Sequence, residues 1–506
     1  MSSSINKENK SGKAHEKHSP EKKHKMKSSL KKNLNALGAV LTLVQAITAA
    51  LFIYLMNGTG MIPWKYVLMT FGGLAALVLI AVLLVSIRNQ TTRIIAVALS
   101  ILAISVQLVG SSYLYRTMNL LQNSESSYKT DTLDIVVRSD DPAETITDVA
   151  EYSFGLVDDL TEEEKTALVQ SLTRKTGKKV EYKEYATASE VVKALDDGEV
   201  DVVVYREAYA PILEEVMESF STGTRVIDKH EIRTEMAYEY VEPGEPFNVL
   251  ISGIDVKGDI SQASRSDVNI IVTINPKTKK IIMTSTPRDF YVEIPGVTNG
   301  ERDKLTHAGI YGEDASIRTL EALYGIDITN YVRVNFTTLI DIVDAIDGVD
   351  VWSDYEFECF TDHEVYINKG MNHLNGREAL AFCRERYSFP DGDNQRGRDQ
   401  EAVLKAIIEK VMSPALIVNA SALIESMQGS FQTDIPQSKI AELINQQLSE
   451  GTDWLILRQA AASGESGMKN TYSAGMASVT EPDMYSVKKN AARIMSILNE
   501  RPQPDD

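Results

Sequence analysis

Six arginines, Arg265, Arg288, Arg384, Arg386, Arg396 and Arg398, stand in the second half of a chain of 506 residues whose net charge is -19. Planar guanidinium forks match phosphate oxygens in pairs and keep their charge at any physiological pH. Two aspartates share the first part of that stretch: Asp255 in the string GID and Asp267 in SRSD, beside Arg265. Carboxylates next to bound phosphate are the usual holders of Mg2+. Several arginines with a carboxylate-held cation suit a pyrophosphate better than a protein or a neutral sugar. The plainer alternative is a set of surface ion pairs, each worth little. Asp255 would then cap the turn before Lys257 and Gly258, and Asp289 would pair locally with Arg288. His307 and His373 are single loop histidines, a setting that favours a hydrogen-bonded structural role over catalysis.

Composition narrows the field further. The first 33 residues hold ten Lys against three Glu, so the remainder is more acidic than the total suggests. An acidic bulk argues against nucleic acid as a partner. The Lys-rich tail also lacks a helix-turn-helix pattern, which leaves direct DNA control without support. Cys359 and Cys383 are too few for a disulfide scaffold and lack the paired spacing of a zinc site.

The elements that must position the arginines read as follows. Residues 1–33 are too polar to offset their ordering entropy and are expected to be a disordered tail. Leu34 to Met56, Tyr66 to Ile87 and Ile94 to Tyr115 are apolar runs, each near the roughly 20 residues that cross about 30 Å of hydrocarbon. Three such runs in succession, over residues 34–115, predict a membrane anchor rather than a cleaved signal. Lysines before the first run and Arg88 to Arg93 after the second place both on the cytoplasmic side. After a polar linker from Asn123 to Thr130, alternating strand and helix patterns over residues 125–240 predict a small α/β domain. Its helices are expected near Pro142, from Glu162 to Thr176, from Ser189 to Leu195 and from Tyr209 to Ser219, with strands in LDIVV, KVEYKEY and VDVVVY. The stretch from Tyr182 to Glu215 resembles one lobe of an extracellular solute-binding protein. Structural spacing or protein contact is the first role expected of it, and small-molecule binding the second.

The segment EPGEPFN opens a larger α/β domain, residues 246–500, with a central mixed sheet covered by helices. NIIVTINP and KIIMTSTP read as a hairpin. Helices are expected from Ala315 to Tyr324, Phe336 to Ile346, Gly376 to Phe382, Gln400 to Val411, Ala420 to Ser426, Gln437 to Leu448 and Ser486 to Leu498.

From Phe247 to Val411 the ordered strings NVLISGID, SRSDVNIIVTINPKTKKIIMTSTPRDFYVEIPG, YGIDITNYVRVNFTTLIDIVDAIDGVDV, KGMNHLNGREALAFCRERY and DGDNQRGRDQEAVLKAI resemble the LytR-CpsA-Psr family. The three-helix anchor with an interposed domain is similar to its streptococcal capsule-protein branch. The resemblance implies a phosphotransferase that moves capsule, teichoic acid or a related glycopolymer from a polyprenyl pyrophosphate onto peptidoglycan as a phosphodiester. It implies Mg2+ (or Mn2+) on Asp255 and Asp267, and a pyrophosphate on Arg265, Arg288, Lys304, Arg384, Arg386, Arg396 and Gln400. Arg288, Asp267 and Asp289 are the candidate catalytic residues, the two aspartates as bases. The implied partners are the lipid-linked polymer, peptidoglycan, the membrane and other polysaccharide-assembly proteins. A pyrophosphatase using water as acceptor, and a non-enzymatic regulator of envelope polysaccharide synthesis, are the rival readings. In an extracellular domain, Cys359 at a strand end and Cys383 at a helix end are expected to form a disulfide.

An odd number of spans and the Lys/Arg asymmetry together place the region after Arg116 outside the cell. Protease added to intact, wall-stripped cells should remove that region and spare the N-terminal tail. Protection of the C-terminal region would overturn the topology.

Overall fold

The computed structural model describes residues 20–123, 128–217, 220–235, 244–254, 260, 263–389, 392–413, 431–451 and 454–501. They fall into two compact units, divided at Met118. In the first, helices α1 (Pro20–Gly58), α2 (Trp64–Ser86) and α3 (Gln90–Asn123) contain three stretches long and apolar enough to cross a membrane, Asn35–Gly58, Trp64–Ser86 and Gln90–Arg116. Small residues let these helices approach: a Cβ at Gly110 would come within 2.5 Å of the Phe52 ring, and one at Gly38 within 2.9 Å of Val85. Thr48 and Gln107 hydrogen-bond between α1 and α3. Helix α1 begins at Pro20, inside the tail expected to be disordered. Proline is tolerated in a first turn, and extending a preformed helix through Lys, Met and Leu needs no new nucleus.

The second unit starts with a five-stranded sheet ordered β3-β2-β4-β1-β5: β1 (Tyr128–Arg138), β2 (Phe154–Val157), β3 (Tyr182–Tyr185), β4 (Val202–Arg206) and β5 (Thr224–Glu235). β2 runs parallel to β3 and β4, whereas β1 is antiparallel to β4 and β5. Helix α4 (Glu162–Thr176) starts at a Thr161/Glu164 capping box and stops at Gly177, whose φ is 74°. Helix α5 (Ala188–Asp196) starts at Thr187, α6 (Ala210–Val216) follows β4, and α7 (Phe220–Gly223) is a single turn before β5. The helix expected near Pro142 is only a 3-10 turn, Ile146–Val149. Asp141 folds back to accept from the Ala143 amide, and Arg225 takes the Asp141 and Ala143 carbonyls, so the chain is turned before a helix can propagate. Strands β2 and β5 were not anticipated.

A six-stranded sheet follows, ordered β16-β11-β6-β7-β8-β17. Its strands are β6 (Phe247–Ile254), β7 (Ser266–Asn275), β8 (Lys280–Ser285), β11 (Asn330–Asn335), β16 (Phe431–Thr433) and β17 (Leu455–Gln459). The expected hairpin is β7–β8, turned by Asn275, whose side chain accepts from the amides of Lys277 and Thr278. Two short strands, β9 (Tyr291–Glu293) and β10 (Arg302–Lys304), lead into α8 (Leu305–Ala308) and α9 (Glu313–Tyr324). The pairs β12 (Val349–Ser353) with β15 (Gly370–Leu374), and β13 (Phe357–Cys359) with β14 (Asp362–Ile367), precede α11 (Gly376–Arg384) and α12 (Gly392–Val411). Helix α10 (Phe336–Ala345) follows β11, and a last hairpin joins β18 (Gly464–Thr471) to β19 (Gly475–Pro482).

Alternate residues of the central strands face opposite layers. Leu250 and Ile271 pack with α9 and the helix Met484–Leu498, while Ile270, Val272 and Met283 pack against Leu404 and Ile408 of α12. A mixed α/β architecture behind three apolar helices is therefore what the chain adopts. Helix α12 begins at Gly392, well before the expected Gln400, and the helix expected from Ala420 to Ser426 lies outside the described residues. Cys359 and Cys383 are both unbonded and buried, contrary to the expected disulfide. They fill one core with Phe357, Phe382 and Val403, as small apolar side chains do, and burial pushes the Cys359 thiol up to about 12.

Beneath the sheet, Arg333 of β11 meets Glu313 at 2.9 Å with 0% and 1% of the side chains exposed. Removing one member of such a pair leaves a buried charge without its counterion. Glu313→Ala should lower stability by about 3–5 kcal/mol in denaturant unfolding, and adding Arg333→Leu should restore most of the loss. A double variant as unstable as the single one would contradict the pairing.

Candidate active site

The strands of the larger sheet end together. β6 stops at Ile254 and β11 at Asn335, in register across a parallel pair, and Ser266 at the start of β7 pairs with the same Ile254. β8 runs antiparallel to β7 and stops at Ser285, so its end joins the same edge. That edge carries Asp267 and the segments following β6, β8 and β11. Open α/β sheets bind ligands outside the carboxyl ends of their parallel strands.

Arg288 lies in the turn after β8. Its Nη1 donates to Asp267 Oδ2 at 2.6 Å, and its Nε lies 3.7 Å from Asp289 Oδ2. Thr306 of α8 donates through Oγ1 to Asp267 Oδ1 at 3.0 Å, and its amide donates to the Arg288 carbonyl at 2.8 Å. Helix α8 thus fixes both partners of the ion pair. Lys304 ends β10, just before α8, and is buried. Arg265, half-buried, immediately precedes β7.

A second group arrives from α11 and α12. The Arg384 guanidinium lies 4.4 Å from the centroid of Phe336, the first residue after β11, which brings this arginine to the same sheet edge. Between Arg384 and Arg386, the fully buried Glu385 carboxylate accepts from four backbone amides, those of Phe360, Arg386, Tyr387 and Ser388. It shapes the loop in place of regular structure. Arg386 turns to its neighbour Tyr387, stacking at 4.6 Å and donating to the phenol oxygen at 2.5 Å. Gln400 donates to the Cys383 carbonyl at 3.2 Å and so ties α12 to the end of α11. Glu401 accepts from the Ser285 amide at 2.9 Å, and a Cβ at Gly397 would come within 3.3 Å of Ser285 Oγ. Helix α12, with Arg396 on it, therefore passes close beside the end of β8. Arg398 is occupied differently: its Nε and Nη2 donate to Gln395 Oε1 at 2.9 and 2.6 Å.

Contacts thus join Arg288, Asp267 and Asp289 directly, while Arg384, Gln400 and the helix bearing Arg396 reach the same edge through Phe336, Cys383 and Ser285. Arg386 faces its own loop. Asp255 lies outside the described residues. Sequence reading overlooked Thr306, Phe336, Glu385 and Glu401. Only Glu385 carried a local signal, an acid held between two arginines in RERY.

A profile of the LytR_cpsA_psr family matches residues 215–492, more than half of the chain. The chain belongs to this family. Bacillus cereus TagU, named a polyisoprenyl-teichoic acid–peptidoglycan teichoic acid transferase, is 36% identical over 204 residues, which are 40% of this chain and 65% of TagU. TagV of Bacillus subtilis, with the same functional name, is 32% identical over 267 residues, 51% of this chain and 66% of TagV. The chain spans just under two thirds of the length of these relatives. The crystal structure of B. subtilis TagV aligns over 52% of this chain and 100% of that one, at 29% identity and a TM-score of 0.44.

Two acids of this LytR_cpsA_psr domain sit unusually deep. Burial pushes the Glu401 carboxyl up to about 8 and the Asp399 carboxyl up to about 7, against partial relief from the Ser285 amide and Gln395 respectively. Both hold a proton more tightly folded than unfolded. Their contribution to stability is therefore fullest below the ordinary carboxylate range and declines as pH rises toward about 8. Thermal midpoints should fall from about pH 5 to pH 8, and Glu401→Gln should flatten the fall. A wild-type midpoint that climbs over that window would contradict the assignment.

Proposed function

We propose that this chain transfers a glycopolymer, teichoic acid, capsule or a similar polymer, from a polyprenyl-pyrophosphate carrier to peptidoglycan on the outer face of the membrane. The observation that carries the reading is the Arg288–Asp267 pair at the carboxyl edge of the sheet, with Arg384 stacked on Phe336 at the end of β11 on the same edge. The names of TagU and TagV and the three membrane-spanning stretches support it. In this reading the pyrophosphate lies on Arg265, Arg288, Lys304, Arg384 and Arg396, with Gln400 behind them, and Arg386 would join them by turning away from Tyr387. A peptidoglycan hydroxyl oxygen bonds to the sugar-linked phosphorus, the bond from that phosphorus to the bridging oxygen breaks, and polyprenyl phosphate leaves. The hydroxyl proton passes to a carboxylate, Asp267 or Asp289. Fixed guanidinium groups neutralise the charge that gathers on the transferred and leaving phosphates, so positioning and electrostatics supply most of the acceleration.

Asp267 is suited to Mg2+, since this ion commonly takes one or two carboxylates and completes its shell from substrate phosphate and water. Among the described residues no group of three acidic, His or Cys side chains forms a full cage. Asp267, joined by Asp255, would hold the ion. Bound there, it would neutralise phosphate charge alongside the arginines.

Arg288→Ala and Arg384→Ala should each reduce transfer of labelled lipid-linked polymer to peptidoglycan fragments. A lost charged partner at a desolvated phosphate typically costs about 2–5 kcal/mol, or roughly thirty- to several-thousand-fold in rate. Asp255→Ala activity should recover partly with added Mg2+, and the arginine variants should not. Unimpaired transfer by folded Arg288→Ala protein would refute the site, and release of free polymer without acceptor would favour the hydrolase.

A further inference from the structure

A cavity of about 210 Å3 lies between the five-stranded sheet and the family domain. It has nothing to do with the arginine edge in its chemistry. Its floor comes from the loops after β2, β3 and β4. Asp158 and Asp159 follow β2, Ala186 and Thr187 follow β3, and Tyr209 follows β4. These three strands are parallel. From β2 the chain leaves through α4 toward β3 on one side, and from β4 it leaves through α6 toward β5 on the other. The crevice between β2 and β4 is thus a topological switch point, the place where open parallel sheets take small ligands.

The family domain supplies the roof. Tyr472 and Ser473, in the β18–β19 turn, and Asn299, in the loop between β9 and β10, face the same cavity. Tyr472 donates to the Ala186 carbonyl at 3.2 Å, and Ser189 donates to the Ser473 carbonyl at 2.9 Å, so floor and roof are latched. Tyr209 and Tyr311 meet edge to face with centroids 5.9 Å apart. Behind Ser473 stands a fully buried polar cluster, His307 with Asp303 at 2.7 Å and with the Ser473 hydroxyl at 2.9 Å.

The lining selects a class of ligand. It contains two carboxylates, three phenols, an amide and hydroxyls, and no Lys, Arg or His. A phosphate or carboxylate ligand would meet two carboxylates, and the nearest cations, Arg206 and Lys165, are already paired with acids. A simple cation is also poorly served. Asp159 already accepts from Arg206 Nε at 3.0 Å and from Tyr209 at 2.7 Å, which leaves Asp158, half-exposed and only loosely paired with Lys165 at 3.5 Å. What fits is a neutral ring bearing several hydroxyls, donating to Asp158 and lying against tyrosine. The volume falls below the roughly 300–1,000 Å3 of sites for drug-sized ligands, which suits a single ring.

We propose that this cavity binds one uncharged sugar ring. Its place suggests the use, in a step that rests on the transferase reading above. Tyr311 belongs to the 3-10 turn Gly309–Tyr311, and a Cβ at Gly309 would come within 2.6 Å of the Ser266 amide, so this turn presses directly on the segment carrying Arg265 and Asp267. A saccharide joined to the reacting phosphate, or the glycan that accepts it, would thread past that turn.

The test is direct binding to the full chain in detergent, followed by protein-observed titration with N-acetylglucosamine, chitotriose, glucose, galactose and, as a cationic probe, ethanolamine. Saturable binding of at least one sugar is expected. Asp158→Asn should weaken it roughly tenfold or more, the usual loss for a hydrogen bond to a charged group, and Asn299→Gly roughly three- to tenfold, the loss for a neutral one. Neither change should lower the melting temperature, because Asp158 is largely solvated and Asn299 has a φ of 51° that glycine adopts freely. Binding of ethanolamine but no sugar, or sugar binding unaltered in both variants, would overturn the proposal. In the transfer assay the same variants should raise KM with little change in kcat. A rise for the lipid-linked polymer names that as the source of the ring, and a rise for the peptidoglycan fragment names the acceptor. Wild-type protein that transfers polymer yet binds no sugar sinks this inference alone, whereas one that binds sugar without transferring anything sinks only the transferase reading.

Discussion

In the proposed reading a guanidinium that receives phosphate has to be held in place before the phosphate arrives, and Asp267 would do the holding. The pair at 2.6 Å spans the start of β7 and the turn after β8, with 20% of each side chain exposed, and Thr306 occupies the other carboxylate oxygen. Such a contact is neither a screened surface pair nor a dry buried one. It keeps Arg288 oriented and half-neutralised. An incoming phosphate must compete with a carboxylate already in position, so one arginine alone would gain little from the exchange. Several acting together gain more, because the phosphate carries its charge to all of them while Asp267 satisfies only one. The arrangement of the remaining arginines follows from that need.

Arg384 lies over the Phe336 ring, where stacking fixes the plane of the guanidinium without using up its edge N–H groups. Glu385, which could have neutralised either flanking arginine, is instead consumed by backbone amides. A buried carboxylate with four such donors is well compensated, and it converts the residues after α11 into a fixed loop. Glu401 plays the corresponding part for β8 by capping Ser285. Glu385 and Glu401 are thus spent on the main chain rather than on the arginines beside them.

How much of this was legible in the sequence depends on the range of the interaction. The three stretches long and apolar enough to cross a membrane, and helices such as α4 and α10, announce themselves through local patterns: long apolar runs, a Thr161/Glu164 cap, an Asn335 cap before an apolar face. The edge residues Arg288, Asp267 and Arg384 stood in long ordered strings. Thr306 stood outside them, and the roles of Phe336 and Glu401 did not show within them, because each acts through a partner far along the chain, Asp267, Arg384 or Ser285. Strand β5 escaped notice because its Thr, Arg, Asp, Lys, His and Glu form an edge strand without a continuous apolar run, paired with β1 through the main chain and a Lys229–Asp134 ion pair. The cysteines misled for a similar reason. Their positions at element ends are compatible with a bridge, and only the three-dimensional core of Phe357, Phe382 and Val403 shows that they serve as filling.

Charge then sets the direction in which a substrate can lie. With a net charge of -19 the chain as a whole repels an anionic polymer, but that field is screened beyond roughly 10 Å at ordinary ionic strength. Local composition decides the encounter. In the proposed reading the arginine edge takes phosphate, while the cavity lined by Asp158 and Asp159 has no cation in its lining and disfavours it. Two neighbouring surfaces with opposite preferences, linked through the turn Gly309–Tyr311, leave a phosphate-bearing sugar one favourable orientation. Discrimination of this kind comes as much from what the acidic cavity excludes as from what the arginines attract. It requires no flexible closure, only that the five-stranded sheet stay latched through Tyr472 and Ser189 to the family domain.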